Sequence, residues 1–232
     1  PVDPVDPVDP VAPTAPTLNL LIDSGVDDDL ITSNGSYSVG GVEPGATDEY
    51  STDGTTWSTT PPVAVEGSNT IFVRQTDATG NTSPSSSLTF TLDTTANITV
   101  SLDDVNSANV ASAPISGTSD VGPGRTVTLT ITDANGNTVT TTAITGTDGS
   151  YSTTADLSGL DDGNLSITAS TTDIAGNPAS ATDATSLLDT SAEANISIDP
   201  ITADNVLNAN ELGGDNVQIT GTVSGDAKAG DT

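Results

Sequence analysis

The stretch Val127-Thr128-Leu129-Thr130-Ile131 alternates apolar and hydroxyl side chains without a break and runs into Asp133-Ala134-Asn135-Gly136-Asn137. A period of two puts every second side chain on one face, which is the pattern of a half-buried β-strand. The Asn-Gly pair behind it supplies the positive φ that a tight hairpin turn demands. Shorter runs of the same kind, Leu18-Asn19-Leu20 and Ile98-Thr99-Val100-Ser101-Leu102, are likewise separated by turn pairs such as Asp53-Gly54 and Asp148-Gly149. Of the 32 acidic residues only Glu43, Glu49, Glu66, Glu193 and Glu211 are glutamate. Asp is a poor helix-interior residue that favours turns and strand ends, so the acid usage points the same way as the alternation. An all-β chain with no helix longer than a single turn is expected.

Self-comparison organises those strands. Thr76-Asp77-Ala78-Thr79-Gly80-Asn81 returns as Thr172-Asp173-Ile174-Ala175-Gly176-Asn177, and Leu92-Asp93-Thr94-Thr95-Ala96 returns as Leu188-Asp189-Thr190-Ser191-Ala192, both 96 residues on. Asn97-Ile98-Thr99-Val100 and Ile115-Ser116-Gly117-Thr118 recur near Asn195 and Ile219, with small insertions shifting the offset. The expected division is a Pro-rich linker over 1–16, a first repeat over 17–95, a second over 96–192, and the truncated start of a third over 193–232. Repeats of about 80–100 residues with several short strands fit tandem immunoglobulin-like antiparallel β-sandwiches in an extended array. In the linker, PVDPVDPVDPVAPTAP, proline at every third position matches the three-residue turn of polyproline II and makes a semi-rigid spacer. The opening on Pro1 rather than Met, and the end at Thr232 inside a strand pattern, read as a piece of a longer protein.

Composition narrows the chemistry. Three basic residues against 32 acidic ones give a formal charge of −29, which excludes a nucleic-acid backbone as partner. There is no Cys and no His, so disulfides, thiol nucleophiles, imidazole bases and zinc-type metal sites are all unavailable, and no enzyme activity is expected. No stretch is long and apolar enough for a helical membrane span, so no direct membrane insertion is expected.

Several stretches together resemble the bacterial Ig-like repeats of very long surface adhesins. They are Asp23-Ser24-Gly25 through Asp29-Leu30-Ile31-Thr32, Glu49-Tyr50-Ser51-Thr52-Asp53-Gly54 through Trp57, Asp77 through Asn81, Leu92 through Ala96, and Asp204 through Ala209 with Gly221-Thr222-Val223. The resemblance implies calcium-dependent extender modules of an RTX-type, type I-secreted biofilm adhesin on the bacterial cell surface. It implies that neighbouring repeats of the same chain are the partners and that the adhesion target is bound elsewhere in the parent protein.

Calcium takes about 6–8 oxygen ligands, and clustered Asp residues are the candidate donors. No EF-hand loop is present, because neither Asp27-Asp28-Asp29 nor Asp133 through Asn137 is followed by a bidentate Glu at the required spacing. A site must therefore be assembled from separate loops. A strand of about eight residues separates Asp77 from Asp93, placing them about 25 Å apart at opposite poles of one sandwich. The map that follows puts Asp23, Asp27, Asp28, Asp29, Glu66 and Asp93 at the far pole of the first repeat, facing Asp173 and Asn177 of the second. The far pole of the second repeat gathers Asp103, Asp104, Asp161, Asp162 and Asp189. The calcium ligands expected from this map are Asp23, Asp27, Asp29, Asp93, Asp173, Asn177, Asp103, Asp104, Asp162 and Asp189. Asp53, Asp133 and Asp148 are expected to serve their own tight turns. Trp57, Tyr50 and Phe72 are expected to pack, and Arg74 and Arg125 each to find a carboxylate. The competing class is an extracellular carbohydrate-binding β-sandwich, which an aromatic face on one repeat would favour.

Overall fold

The computed structural model describes residues 11–202, 204–206, 209 and 218–227. Most of the Pro-rich segment, and part of the region after Pro200, lie outside the described residues. Among them the chain is almost entirely strand and turn, and the one helical element is a single 3-10 turn, Val110–Ser112.

Six strands form the first sandwich: β1 (Thr17–Leu20), β2 (Ile31–Thr32), β3 (Tyr37–Gly40), β4 (Thr47–Ser51), β5 (Gly67–Thr76) and β6 (Ser86–Leu92). One sheet has the order β2-β6-β5-β4, with β2 parallel to β6 and the rest antiparallel; the other is the pair β1-β3. Ile71, Val73 and Phe90 are its buried apolar residues. Gln75, also fully buried on β5, ties the entering chain down: its amide donates to the carbonyls of Thr14 and Gly41, and its oxygen accepts from the Glu43 amide.

The second sandwich is fuller. Its strands are β7 (Ser101–Leu102), β8 (Val105–Asn106), β9 (Ala113–Thr118), β10 (Thr126–Thr132), β11 (Thr138–Ile144), β12 (Ser150–Ala155), β13 (Gly163–Asn164), β14 (Ser166–Thr172), β15 (Pro178–Asp183) and β16 (Leu187–Asp189). The sheet β11-β10-β14-β15 faces β12-β9-β7, and the short set β13-β16-β8 closes the far end. On β10 the alternation is obeyed: Val127, Leu129 and Ile131 are fully buried while Thr126 and Thr128 are exposed. They pack with Ile115, Leu157, Leu165, Ile167 and Leu188 into one continuous core. Asp53-Gly54, Asn135-Gly136 and Asp148-Gly149 all sit in turns with the glycine at positive φ, as their sequence predicts. Ile98 to Val100 differs from the expectation: only an isolated bridge between Ile98 and Ser119 forms there before the strand proper begins at Ser101.

The two sandwiches differ in what lies between matched strands. From β10 to β14 the chain adds β11 to one sheet, crosses to add β12 to the other and passes through β13; from β4 to β5 it makes only a tight turn and the strip Pro61-Pro62-Val63-Ala64, which joins no sheet among the described residues. Proline has no N–H to give to a ladder, which accounts for the missing strand pairing. After the second sandwich, β17 (Ala194–Ile198) pairs with β18 (Gly221–Gly225), both fully exposed.

Candidate interdomain site

The turn after β14 is built by one aspartate. Asp173, only 2% exposed, accepts the Asn177 amide N–H on one carboxylate oxygen at 2.7 Å and the Asn177 side-chain amide on the other at 2.8 Å. The backbone closes the loop through Asp173 N–H to the Asn177 carbonyl. The same arrangement recurs at Asp77 with Asn81 and at Asp133 with Asn137, so the recurring motif is first a turn former. Hydrogen bonds to the charged form hold Asp77 and Asp133 at a pKa of about 2, through the Asn81 side chain for the first and the Asp161 amide and Asn137 side chain for the second.

Against that turn lies the loop connecting β1 to β2. The Ser24 hydroxyl donates to the Ala175 carbonyl at 2.6 Å, and the Val26 amide donates to the Ile174 carbonyl at 3.2 Å. Gly25 sits between them at φ +83, and a Cβ there would run into the Ile174 carbonyl oxygen. From the other strand of the first sandwich, the Asp93 carbonyl accepts the Asn177 side-chain amide at 2.8 Å. The joint is thus a set of direct contacts between the end of one sandwich and one turn of the next. Arg125 supports the turn from behind, donating to the Thr172 and Asp173 carbonyls, so it serves backbone acceptors where a carboxylate partner was expected; Arg74 does meet Glu49, at 2.9 Å.

The loop itself is acid-rich and strained. One Asp23 oxygen accepts the amides of Asp28 and Leu30, and one Asp29 oxygen accepts the amide of Ile31. Asp28 and Leu30 hold positive φ of 67° and 59°, which costs a non-glycine residue on the order of 1 kcal/mol. The second oxygens of both carboxylates, Asp23 Oδ1 and Asp29 Oδ2, are buried without a hydrogen-bond partner. Such an orphan carries the desolvation cost of the group, about 1–3 kcal/mol and more when charged. Asp27 is exposed on the same loop. Burial, followed by the carboxylates of Asp173, Glu66 and Asp120, pushes the Asp93 carboxyl above its ordinary value, against the Thr95 amide that lowers it.

The structure therefore brings Asp23, Asp29, Asp93, Asp173 and Asn177 to the same joint. Of the residues expected at the far end of the second sandwich, each is engaged locally or exposed. Asp104 accepts the Leu187 amide, Asp162 accepts the Thr190 amide and hydroxyl, Asp189 ends β16, and Asp103 lies in an open groove beside Ser101 and Pro114. Among the described residues no group of three or more acidic side chains is placed so that it could hold a metal ion. The donor chemistry at the joint is nevertheless all oxygen, and the orphaned Asp23 and Asp29 atoms fit a hard cation such as calcium. Missed by sequence reasoning was the backbone latch through Ser24, Gly25 and Val26. Its signal was available: eleven residues separate Leu20 from Thr32, whereas only two separate the matching Leu102 and Val105.

No protein-family model and no curated protein matches the chain. Among solved structures it is similar to a tetra-tandem repeat in the extending region of a large adhesion protein, at 27% identity over 81% of this chain and 52% of that one, with a TM-score of 0.44. It is also similar to the fibronectin(III)-like modules of Clostridium thermocellum CbhA, at 15% identity over 75% and 93% of the two chains (TM-score 0.35). The D00-D0 domain of intimin follows, at 15% identity over 71% and 96% (TM-score 0.32). The chain spans about half the length of the first of these structures.

Proposed function

We propose that this chain is part of the extender of a large bacterial cell-surface adhesin, with repeats over 17–95 and 96–192 and the start of a third over 193–232, and that its joints are stiffened by calcium. The single observation that carries the reading is the joint: a strained acidic loop with two orphaned carboxylate oxygens, latched onto an Asp-stapled turn that recurs in each sandwich. A spacer needs its force-bearing features at the ends of its modules, and that is where these lie.

The orphaned oxygens of Asp23 and Asp29 would meet the ion, completed by backbone carbonyls and water, with the Asp93 carboxylate adding to the negative field and Asp173 and Asn177 fixing the opposing turn. Calcium bound there would supply positive charge to carboxylates that otherwise repel across the joint. The chain's own residues do the rest: Ser24 and Val26 set the contact, Asn177 bridges to Asp93, and Gly25 permits the close approach. The finer expectations, biofilm attachment and type I secretion by an RTX-type parent that binds its target elsewhere, rest on the sequence resemblance.

Calcium titration read by melting temperature and small-angle scattering tests the proposal. At a calcium concentration of about 100 times Kd, binding to the folded state alone adds about 2.7 kcal/mol. A melting transition and a scattering length that both ignore calcium up to about 10 mM, well above the range of extracellular sites, would reject calcium stiffening.

A further inference from the structure

The first sandwich has a sheet edge and an interior groove that its neighbour fills with a strand of its own. In an antiparallel pair, residues alternate between those bonded to the partner and those whose N–H and C=O point away from it. The Leu21 amide donates to the Ser36 carbonyl, which makes Leu21/Ser36 a bonded pair and, two residues on, Asn19/Ser38 as well. Tyr37 and Val39 therefore turn their backbone groups away from β1, and among the described residues β3 has no other sheet neighbour. In the second sandwich the Thr99 amide donates to the Thr118 carbonyl, so by the same rule Ile115 and Gly117 turn outward, and there they face Thr153 and Tyr151 of β12. Tyr37 and Val39 occupy the places of Ile115 and Gly117, and the strand opposite them is missing.

Beside this edge lies a groove of about 670 Å³ lined by Leu21, Tyr37, Val39, Tyr50, Pro62 and Leu92. In the second sandwich Tyr151 is 3% exposed and donates to the Thr99 carbonyl. In the first, the strip 61–64 covers only the start of β3: Ala64 packs at Gly35 and the Tyr37 hydroxyl donates to the Pro62 carbonyl at 2.9 Å. Val63 on the strip is 87% exposed.

We propose that the first sandwich binds an extended strand from a partner polypeptide, which adds antiparallel to β3 as β12 adds to β9 in the second sandwich, with a side chain smaller than tyrosine opposite Val39, because Tyr151 packs over Gly117, where a Cβ would meet its hydroxyl. The filled position in the same chain specifies the chemistry of the occupant: uncharged, with aliphatic or small side chains facing β3's inner face and serine or threonine alternating with them. The net charge of −29 disfavours an acidic strand. Backbone hydrogen bonds supply the affinity of such strand addition and the alternate side chains its selectivity.

The probe is a synthetic peptide of residues 149–155, the sequence of β12 with its leading glycine and with Tyr151→Val to fit opposite Val39, added to the whole chain and followed by amide NMR and hydrogen exchange. The Tyr37 and Val39 amides are expected to shift and to exchange at least tenfold more slowly, while Ile115 and Gly117, already paired, stay as they are. A peptide N-methylated on the amides that face β3 is expected to lose the effect, and this control leaves the protein untouched. Val39→Pro, which removes only an edge donor, is expected to keep the fold and abolish peptide binding. No protection at Tyr37 and Val39 up to millimolar peptide, or equal binding by the N-methylated peptide, would overturn the proposal. Self-association of the chain that slows Tyr37 and Val39 exchange without peptide would overturn it too, by making a second copy the occupant.

Discussion

Replacing Gly25 with alanine should open the joint between the two sandwiches while leaving both folded. Gly25 stands at φ +83 with the Ile174 carbonyl where a Cβ must go. Two responses compete. The turn 173–177 can yield, but it is held by four hydrogen bonds made by a nearly fully buried Asp173 and by Arg125 on the Thr172 and Asp173 carbonyls. Alternatively the loop can lift, losing the Val26–Ile174 and Ser24–Ala175 hydrogen bonds, each worth about 1 kcal/mol net. Lifting is cheaper, and a loss of about 2 kcal/mol lowers the closed population relative to the open one about 30-fold. Hydrogen exchange at the Val26 amide should accelerate by about that factor, and small-angle scattering should show a broader distribution of lengths. Gly45→Ala is the control: it imposes the same backbone strain at φ +85 but has open space where the Cβ would go. If Gly25→Ala and Gly45→Ala leave Val26 exchange equally slow, the latch does not hold the joint and the reasoning fails.

Asp93→Asn removes a carboxylate whose charged form is disfavoured by burial and by Asp173, Glu66 and Asp120, so without calcium it should tighten the joint; with calcium it should reduce the gain in melting temperature. An unchanged calcium response would make Asp93 a strand-end residue only. Asp133 has a folded pKa of about 2, below its ordinary value, so its contribution is present above about pH 4 and lost as pH falls towards 2. The melting temperature of the second sandwich should fall across that window, and Asp133→Asn should flatten the fall; an equally steep profile in the variant counts against the turn as the acid-sensitive element. Leu129→Ala leaves a cavity in the full core of the second sandwich and should cost about 2–5 kcal/mol, lowering its melting transition by about 10 °C or more. Differential scanning calorimetry should show the first sandwich unaffected, and a joint loss of both transitions would contradict two separate cores.

Much of this was legible in one dimension because β-structure writes a local signature. The period of two in Val127 through Ile131 marks its own buried face, and Asn-Gly and Asp-Gly pairs mark turns by the φ they permit, so strands and hairpins needed no tertiary information. The repeat offset and the length of a strand even put Asp93 opposite Asp173, since a strand carries its ends to opposite poles. Tertiary structure alone decided which atoms meet. Asp173 spends both oxygens on its own turn, and the contact across the joint runs through backbone carbonyls of Asp93, Ile174 and Ala175 that any residue carries and no sequence pattern marks. The orphaned oxygens of Asp23 and Asp29 are likewise invisible in the sequence, where they read as two of the four acids from Asp23 to Asp29. The open edge of β3 depends on a strand that none of the described residues supplies, and only the paired counterpart in the second sandwich reveals that a place for one exists.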